Sequence, residues 1–101
     1  MFHFRYHPKF SSDLKKLNSN TQERVFSKIK DVRQDPTRFK HLGGKMNSYS
    51  ARIGDLRLIY FVDGDIIEFV IIEQRKNVYD IYRKRLGLVR EELVEYGSNN
   101  S

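Results

Sequence analysis

The sequence predicts one α/β domain of the α+β kind, with an N-terminal strand and a helical hairpin packed on an antiparallel β-meander and a C-terminal helical segment after it. Three observations predict this. Apolar and polar residues alternate at the N-terminus, apolar residues recur three and four apart between residues 10 and 32, and short Gly-Asp signals divide β-type apolar runs between residues 48 and 73. A length of 101 residues suits a single core and is too short for two.

Phe2, Phe4 and Tyr6 alternate with His3 and Arg5, which reads as a short first strand expected to join the three C-terminal strands in one antiparallel sheet. Pro8 opens a helix over residues 8–17, in which Phe10, Leu14 and Leu17 share one stripe. Asn18 to Asn20 ends it. Asn20 and Glu23 have capping-box spacing, and Val25, Phe26, Ile29 and Val32 continue a second helix over residues 20–34, up to Asp35-Pro36. Residues 36–47 are polar, contain Gly43-Gly44 and show no period, so they read as a loop. SYSARI, LRLIYFV and IIEFVIIE follow as three strands, joined by Gly54-Asp55 and by Asp63-Gly64-Asp65. The stretch NVYDIYRKRLGLVREELVEY suggests helical turns broken near Gly87. The domain is expected to span residues 1–96, with 97–101 a flexible tail.

Composition narrows the function classes. The chain has no cysteine, which excludes disulfides, thiolate metal sites and cysteine nucleophiles. His3, His7 and His41 have no zinc-type spacing, and no metal or other cofactor is expected. No stretch approaches a signal-peptide core or the ~20 apolar residues of a membrane span, so the expected location is the cytoplasm, with no membrane partner. A net charge of +6 favours a polyanionic partner, either nucleic acid or an acidic protein segment.

If Gly54-Asp55 is the turn, Ile53 opposes Leu56 and Arg52 opposes Arg57, so two guanidinium groups stand together on one face of the meander. Like charges directly opposite destabilise a strand pair unless an anion lies between them, and the planar guanidinium fork suits phosphate. A solvated pair, or one neutralised by Asp55 or Glu73, is the plainer alternative. Tyr49, Ala51, Ile53, Leu56, Leu58 and Tyr60 are expected on the other face, beneath the helices. A second basic cluster comprises Arg75, Lys76, Arg83, Lys84 and Arg85 against the single acid Asp80, with Tyr79 and Tyr82 interleaved. Cations with exposed rings suit single-stranded nucleic acid, though a solvated helix with a tyrosine stripe fits the same residues.

RIGDLRLIYFV followed by a hairpin and then IIEQRKNVY resembles the hallmark region of the RelE/ParE superfamily of toxin–antitoxin toxins, and the upstream strand and helical hairpin agree. The resemblance covers about residues 1–82 and implies a RelE-like toxin fold. For RelE-like members it implies a metal-independent endoribonuclease that cuts mRNA on the ribosome and is held inactive by a cognate antitoxin. The charge of this chain suggests an acidic binding segment on that antitoxin. Arg57 then matches the arginine that holds the scissile phosphate, Arg52 a basic residue on the preceding strand, Arg75 the arginine of the final motif, and Tyr79 the tyrosine after it. Lys76, Tyr82, Arg83, Lys84 and Arg85 become candidate RNA contacts. Two positions depart from the pattern: Ser50 stands where some relatives carry Lys or Arg, and Gln74 where many carry His. The superfamily also contains ParE-type gyrase inhibitors, and with the departures at Ser50 and Gln74 a non-catalytic nucleic-acid- or protein-binding module, including a decayed toxin, is a further alternative, so fold alone does not select the activity.

Overall fold

The computed structural model describes residues 2–42, 47–78 and 80–84. Five strands and two helices run in the order β1 (His3–Tyr6), α1 (Pro8–Lys15), α2 (Ser19–Gln34), β2 (Lys40–His41), β3 (Ser48–Ile53), β4 (Leu56–Asp63) and β5 (Ile66–Gln74). Residues 75–78 and 80–84 are helical as well, as the C-terminal segment suggested. The expected break near Gly87 and the tail at 97–101 lie outside the described residues.

The meander forms, with its first hairpin in the expected register and its second turning one residue tighter than the expected Asp63-Gly64-Asp65. Ile53 pairs with Leu56 and Asp63 with Ile66, so each hairpin turns on two residues, Gly54-Asp55 and Gly64-Asp65. Only the glycines take positive φ, 57° and 58°, which places the left-handed residue first, as in glycine-first hairpin turns. The β4–β5 ladder is offset between Ile59 and Tyr60, because Ile59 pairs with Ile71 and Tyr60 with Phe69. Val70 is therefore the extra residue of a bulge.

Three expectations need correction. β1 does not extend the antiparallel pattern: it pairs in parallel with β5, giving the order β1-β5-β4-β3-β2. Alternation predicts a strand but does not choose its partner; here the rings decide. Phe4 meets Phe69 edge-on at 5.3 Å, and Tyr6 stacks on Phe69 at 5.6 Å and on Phe10 at 5.9 Å. Such pairs contribute about 0.5–1.5 kcal/mol each beyond their burial. Second, the stretch read as loop contains β2, whose Lys40 and His41 pair with Ser50 and Tyr49. Third, α2 is capped by Asn18 and not by Asn20, since the Asn18 Oδ1 accepts from the Thr21 backbone N–H at 2.8 Å. Gln22 then reaches back, and its amide donates to the Leu17 carbonyl at 2.8 Å and to the Leu14 carbonyl at 3.1 Å, the latter already accepting from the Leu17 N–H, so it ties the start of α2 to the end of α1.

Val25, Ile29 and Val32 of α2 and Phe10 of α1 pack on Ala51, Ile53, Leu58, Tyr60, Ile67, Phe69 and Ile72. Phe26, expected in the same stripe, lies on the outer side of α2 and is 47% exposed. The opposite sheet face carries a smaller cluster of Ile59, Val70 and Ile71, which Val78, Ile81 and Tyr82 of the C-terminal helix cover. The sheet is thus covered on one side by the hairpin and, toward one end of the other side, by that helix. No helix among the described residues is long and apolar enough to cross a membrane.

Candidate functional site

The uncovered end of the second sheet face lies beside the β3–β4 turn. Alternation along β3 turns Tyr49, Ala51 and Ile53 to the core and Ser48, Ser50 and Arg52 away from it. Arg52 is the register partner of Arg57, and Arg57 is the partner of Glu73 on β5, so the three form one row across the sheet. Among the described residues neither arginine makes an ion pair with Asp55 or Glu73.

The backbone register is as expected, but the two guanidinium heads part. Arg52 Nε donates to the Gly54 carbonyl at 3.1 Å, and Arg57 Nη1 donates to Ser50 Oγ at 3.4 Å. One head follows β3 toward its turn and the other points back along it. Ser50 is 1% exposed, so the departure at this position has a structural role: its small hydroxyl supports the Arg57 head where a long side chain would need room. Arg57 Nε is buried and makes no hydrogen bond among the described residues.

Arg75 joins the same end of the sheet. Its backbone N–H donates to the Asp55 carbonyl at 2.8 Å, fastening the start of the C-terminal helix to the β3–β4 turn. Asp55, Gln74, Arg75 and Lys76 line a depression of about 520 Å³ there. Lys76 and Lys84 are exposed, while Arg83 is paired with Asp80 one helical turn earlier. Tyr82 is partly buried and its hydroxyl shares a 2.9 Å hydrogen bond with the buried Ser48, so its ring docks the helix on the sheet. Tyr79 and Arg85 lie outside the described residues.

The histidines occupy other places. His7 caps α1 by accepting from the Lys9 N–H at 3.1 Å, a role its position before Pro8 could have signalled. His3 stands 3.9 Å from Asp65, and the His41 ring leans on Tyr49 at 5.1 Å. Among the described residues no three His, Asp or Glu side chains converge as metal ligands. The turn end of the sheet therefore presents fixed cations without a histidine base. Its evident chemistry is the binding of anions and the stabilisation of negative charge.

A family model described as the ParE toxin of type II toxin–antitoxin systems, parDE, matches residues 4–79. No curated protein matches the chain. Among solved structures, the isolated RelE toxin of E. coli is similar, with a TM-score of 0.66 at 21% identity over 85% of this chain and 99% of that one. The archaeal RelE–RelB complex of Pyrococcus horikoshii OT3 gives a TM-score of 0.63 at 22% identity, covering 73% of this chain and 94% of the other. The RelB–RelE complex of Methanococcus jannaschii gives 0.62 at 26% identity, covering 77% and 98%.

Proposed function

The chain belongs to the ParE toxin family of type II toxin–antitoxin systems, within the RelE/ParE superfamily, and from that premise we propose that it is a metal-independent endoribonuclease that cleaves mRNA on the ribosome. The observation that carries this reading is the Arg57 guanidinium, half-buried and tied to Ser50, with Arg52 as its register partner on β3 and the Arg75 backbone fastened to the same turn. Such an arrangement is preorganised for a phosphate whose charge rises during reaction. Cleavage proceeds by in-line attack of the 2′-hydroxyl on the adjacent phosphate, leaving a 2′,3′-cyclic phosphate and a free 5′-hydroxyl. Arg57 and Arg75 stabilise the phosphorane, and Arg52 adds to the field. Tyr79, by resemblance, takes up the 2′-hydroxyl proton or orients the substrate. With so weak a base, the ribosome supplies much of the rate by orientation, worth on the order of 7 kcal/mol in favourable cases, and free RNA is a poor substrate.

The partner of the free toxin is a cognate antitoxin with an acidic binding segment, in keeping with the RelE structures solved with RelB. Lys76, Arg83, Lys84, Arg85 and Tyr82 remain the proposed RNA flank, with Arg83 and Tyr82 acting through the helix they brace. The test is ribosome-programmed cleavage by Arg57→Ala, which should fall by about 10²-fold or more, as when a transition-state charge partner is removed. Tyr79→Phe should also slow cleavage while leaving RNA binding largely unchanged. Full cleavage and toxicity in Arg57→Ala would overturn the site. A second reading, gyrase inhibition, is favoured by the match to the ParE family model itself. In cells, early loss of translation with normal supercoiling supports the nuclease; early loss of supercoiling supports the gyrase inhibitor.

A further inference from the structure

Beyond the Arg57 row, a second basic concavity lies around the corner of β3. β2 covers β3 only at Tyr49 and Ser50, so past Ser50 the outer side of β3 faces α2. There Arg24, Ser27, Lys28 and Asp31 of α2 and Arg52, Ile53 and Gly54 of the β3 end line a depression of about 270 Å³. Three cations face one carboxylate in it. Among the described residues none of Arg24, Lys28 and Arg52 is in an ion pair. Arg24 is also seated against the turn: a Cβ at position 54 would stand 2.6 Å from Arg24 Nη2. The glycine thus leaves room for the guanidinium as well as for the turn. Lys28 Nζ lies 5.6 Å from the centre of the Phe39 ring, which restricts its ammonium group without neutralising it.

We propose that Arg24, Lys28 and Arg52 form a phosphate subsite for the RNA strand outside the scissile bond, so that Arg52 links this subsite to the Arg57 site and is a positioning residue. The proposal rests on the nuclease reading and deepens it. Three considerations favour RNA over an acidic protein segment. The two cationic sites are joined through adjacent strand partners, Arg52 and Arg57, so a polymer with a charge at every residue can occupy both. The walls are mainly polar, and the one large apolar lining residue, Ile53, is 5% exposed and offers little to anchor a peptide chain. Two arginine forks and an ammonium match the oxygens of a phosphodiester.

The experiment measures binding of a 2′-O-methylated single-stranded RNA, which cannot be cleaved, by fluorescence anisotropy across a salt series. The full chain is compared with Arg24→Gln, Lys28→Gln and the double variant. Each neutralisation should weaken binding and flatten the plot of log affinity against log salt by about 0.7, and the double variant by about 1.4. Lys28→Gln leaves the turn untouched, so its effect is not an effect on folding. Arg57→Ala should lose cleavage while retaining the contribution of Arg24 and Lys28. Wild-type binding with unchanged affinity and slope in the double variant would overturn this subsite and leave the nuclease reading standing, as would a loss confined to binding of an acidic peptide. If the wild-type chain fails to bind RNA even at low salt, this subsite falls, and the nuclease reading is decided by the ribosome-programmed cleavage assay.

Discussion

Replacing Tyr60 by Phe removes one oxygen from the best-buried part of the domain. Tyr60 is 0% exposed, it packs on Tyr49 at 5.6 Å, and its hydroxyl donates to the carbonyl of Pro36, also buried, 24 residues earlier. That bond ties the exit of α2 to the centre of the sheet. Its loss removes a net hydrogen bond of about 1 kcal/mol and strands a buried carbonyl, for a total of about 2 kcal/mol. For a domain of this size that is a fall in melting temperature of about 10 °C. The substitution should also change the alkaline limb of stability. Burial raises the Tyr60 phenol well above its ordinary value of 10.0, with the neighbouring Tyr49 and Asp35 adding to the rise and Arg38 opposing it. The folded state therefore holds a proton that the unfolded chain gives up. This contribution is complete below the unfolded value and is lost as pH rises above it, by about 1.4 kcal/mol per pH unit. Melts followed by circular dichroism between neutral and strongly alkaline pH should show that loss in the wild type. In Tyr60→Phe it should be reduced, with a residual slope from Tyr6, whose phenol burial also raises. A neutral-pH change below about 0.5 kcal/mol, with an unaltered alkaline limb, would refute the assigned hydrogen bond and the burial argument together.

Further predictions concern the turns and the helix cap. Gly54→Ala and Gly64→Ala both place a side chain at positive φ, and each should cost about 1–2 kcal/mol by chemical denaturation. The two losses should be similar despite the Arg24 contact, because the guanidinium can swing away; a much larger loss at Gly54 would show that this seat holds the fold. Asn18→Ala should cost about 1 kcal/mol, and Asn20→Ala almost nothing, since only Asn18 caps the backbone. Equal losses at the two positions would remove the assignment of the cap.

The strands of the meander were legible because turn chemistry and apolar runs agree: glycine at both corners sets the register, and the register sets Arg52 against Arg57. Less was legible where the signal is tertiary. Lys40 and His41 carry no strand pattern of their own and become β2 by pairing with β3. Two asparagines within three residues compete as caps, and Glu23 favoured the wrong one. The site shows the same boundary. Register places Cα atoms but not side-chain torsions, so sequence put two guanidinium groups together that turn to Ser50 and to Gly54. It also gave no hint that Ser50 is an acceptor, or that Arg24 and Lys28 on α2 would share a depression with Arg52.

The parallel pairing of β1 with β5 has a kinetic consequence. His3 meets Ile66, so the sheet closes only by joining one end of the described chain to a strand near the other. Hairpins of adjacent strands close short loops, whereas a pairing of this span carries a larger closure entropy and forms slowly. During synthesis β1 emerges before β5. Until they meet, Phe4 and Tyr6 lack Phe69, and β5, with the run IIEFVIIE, presents an open apolar edge able to recruit strands from other chains. Glu68 and Glu73 interrupt that run with charge. Docking of β1 then protects the edge, so a four-residue strand guards β5 against aggregation.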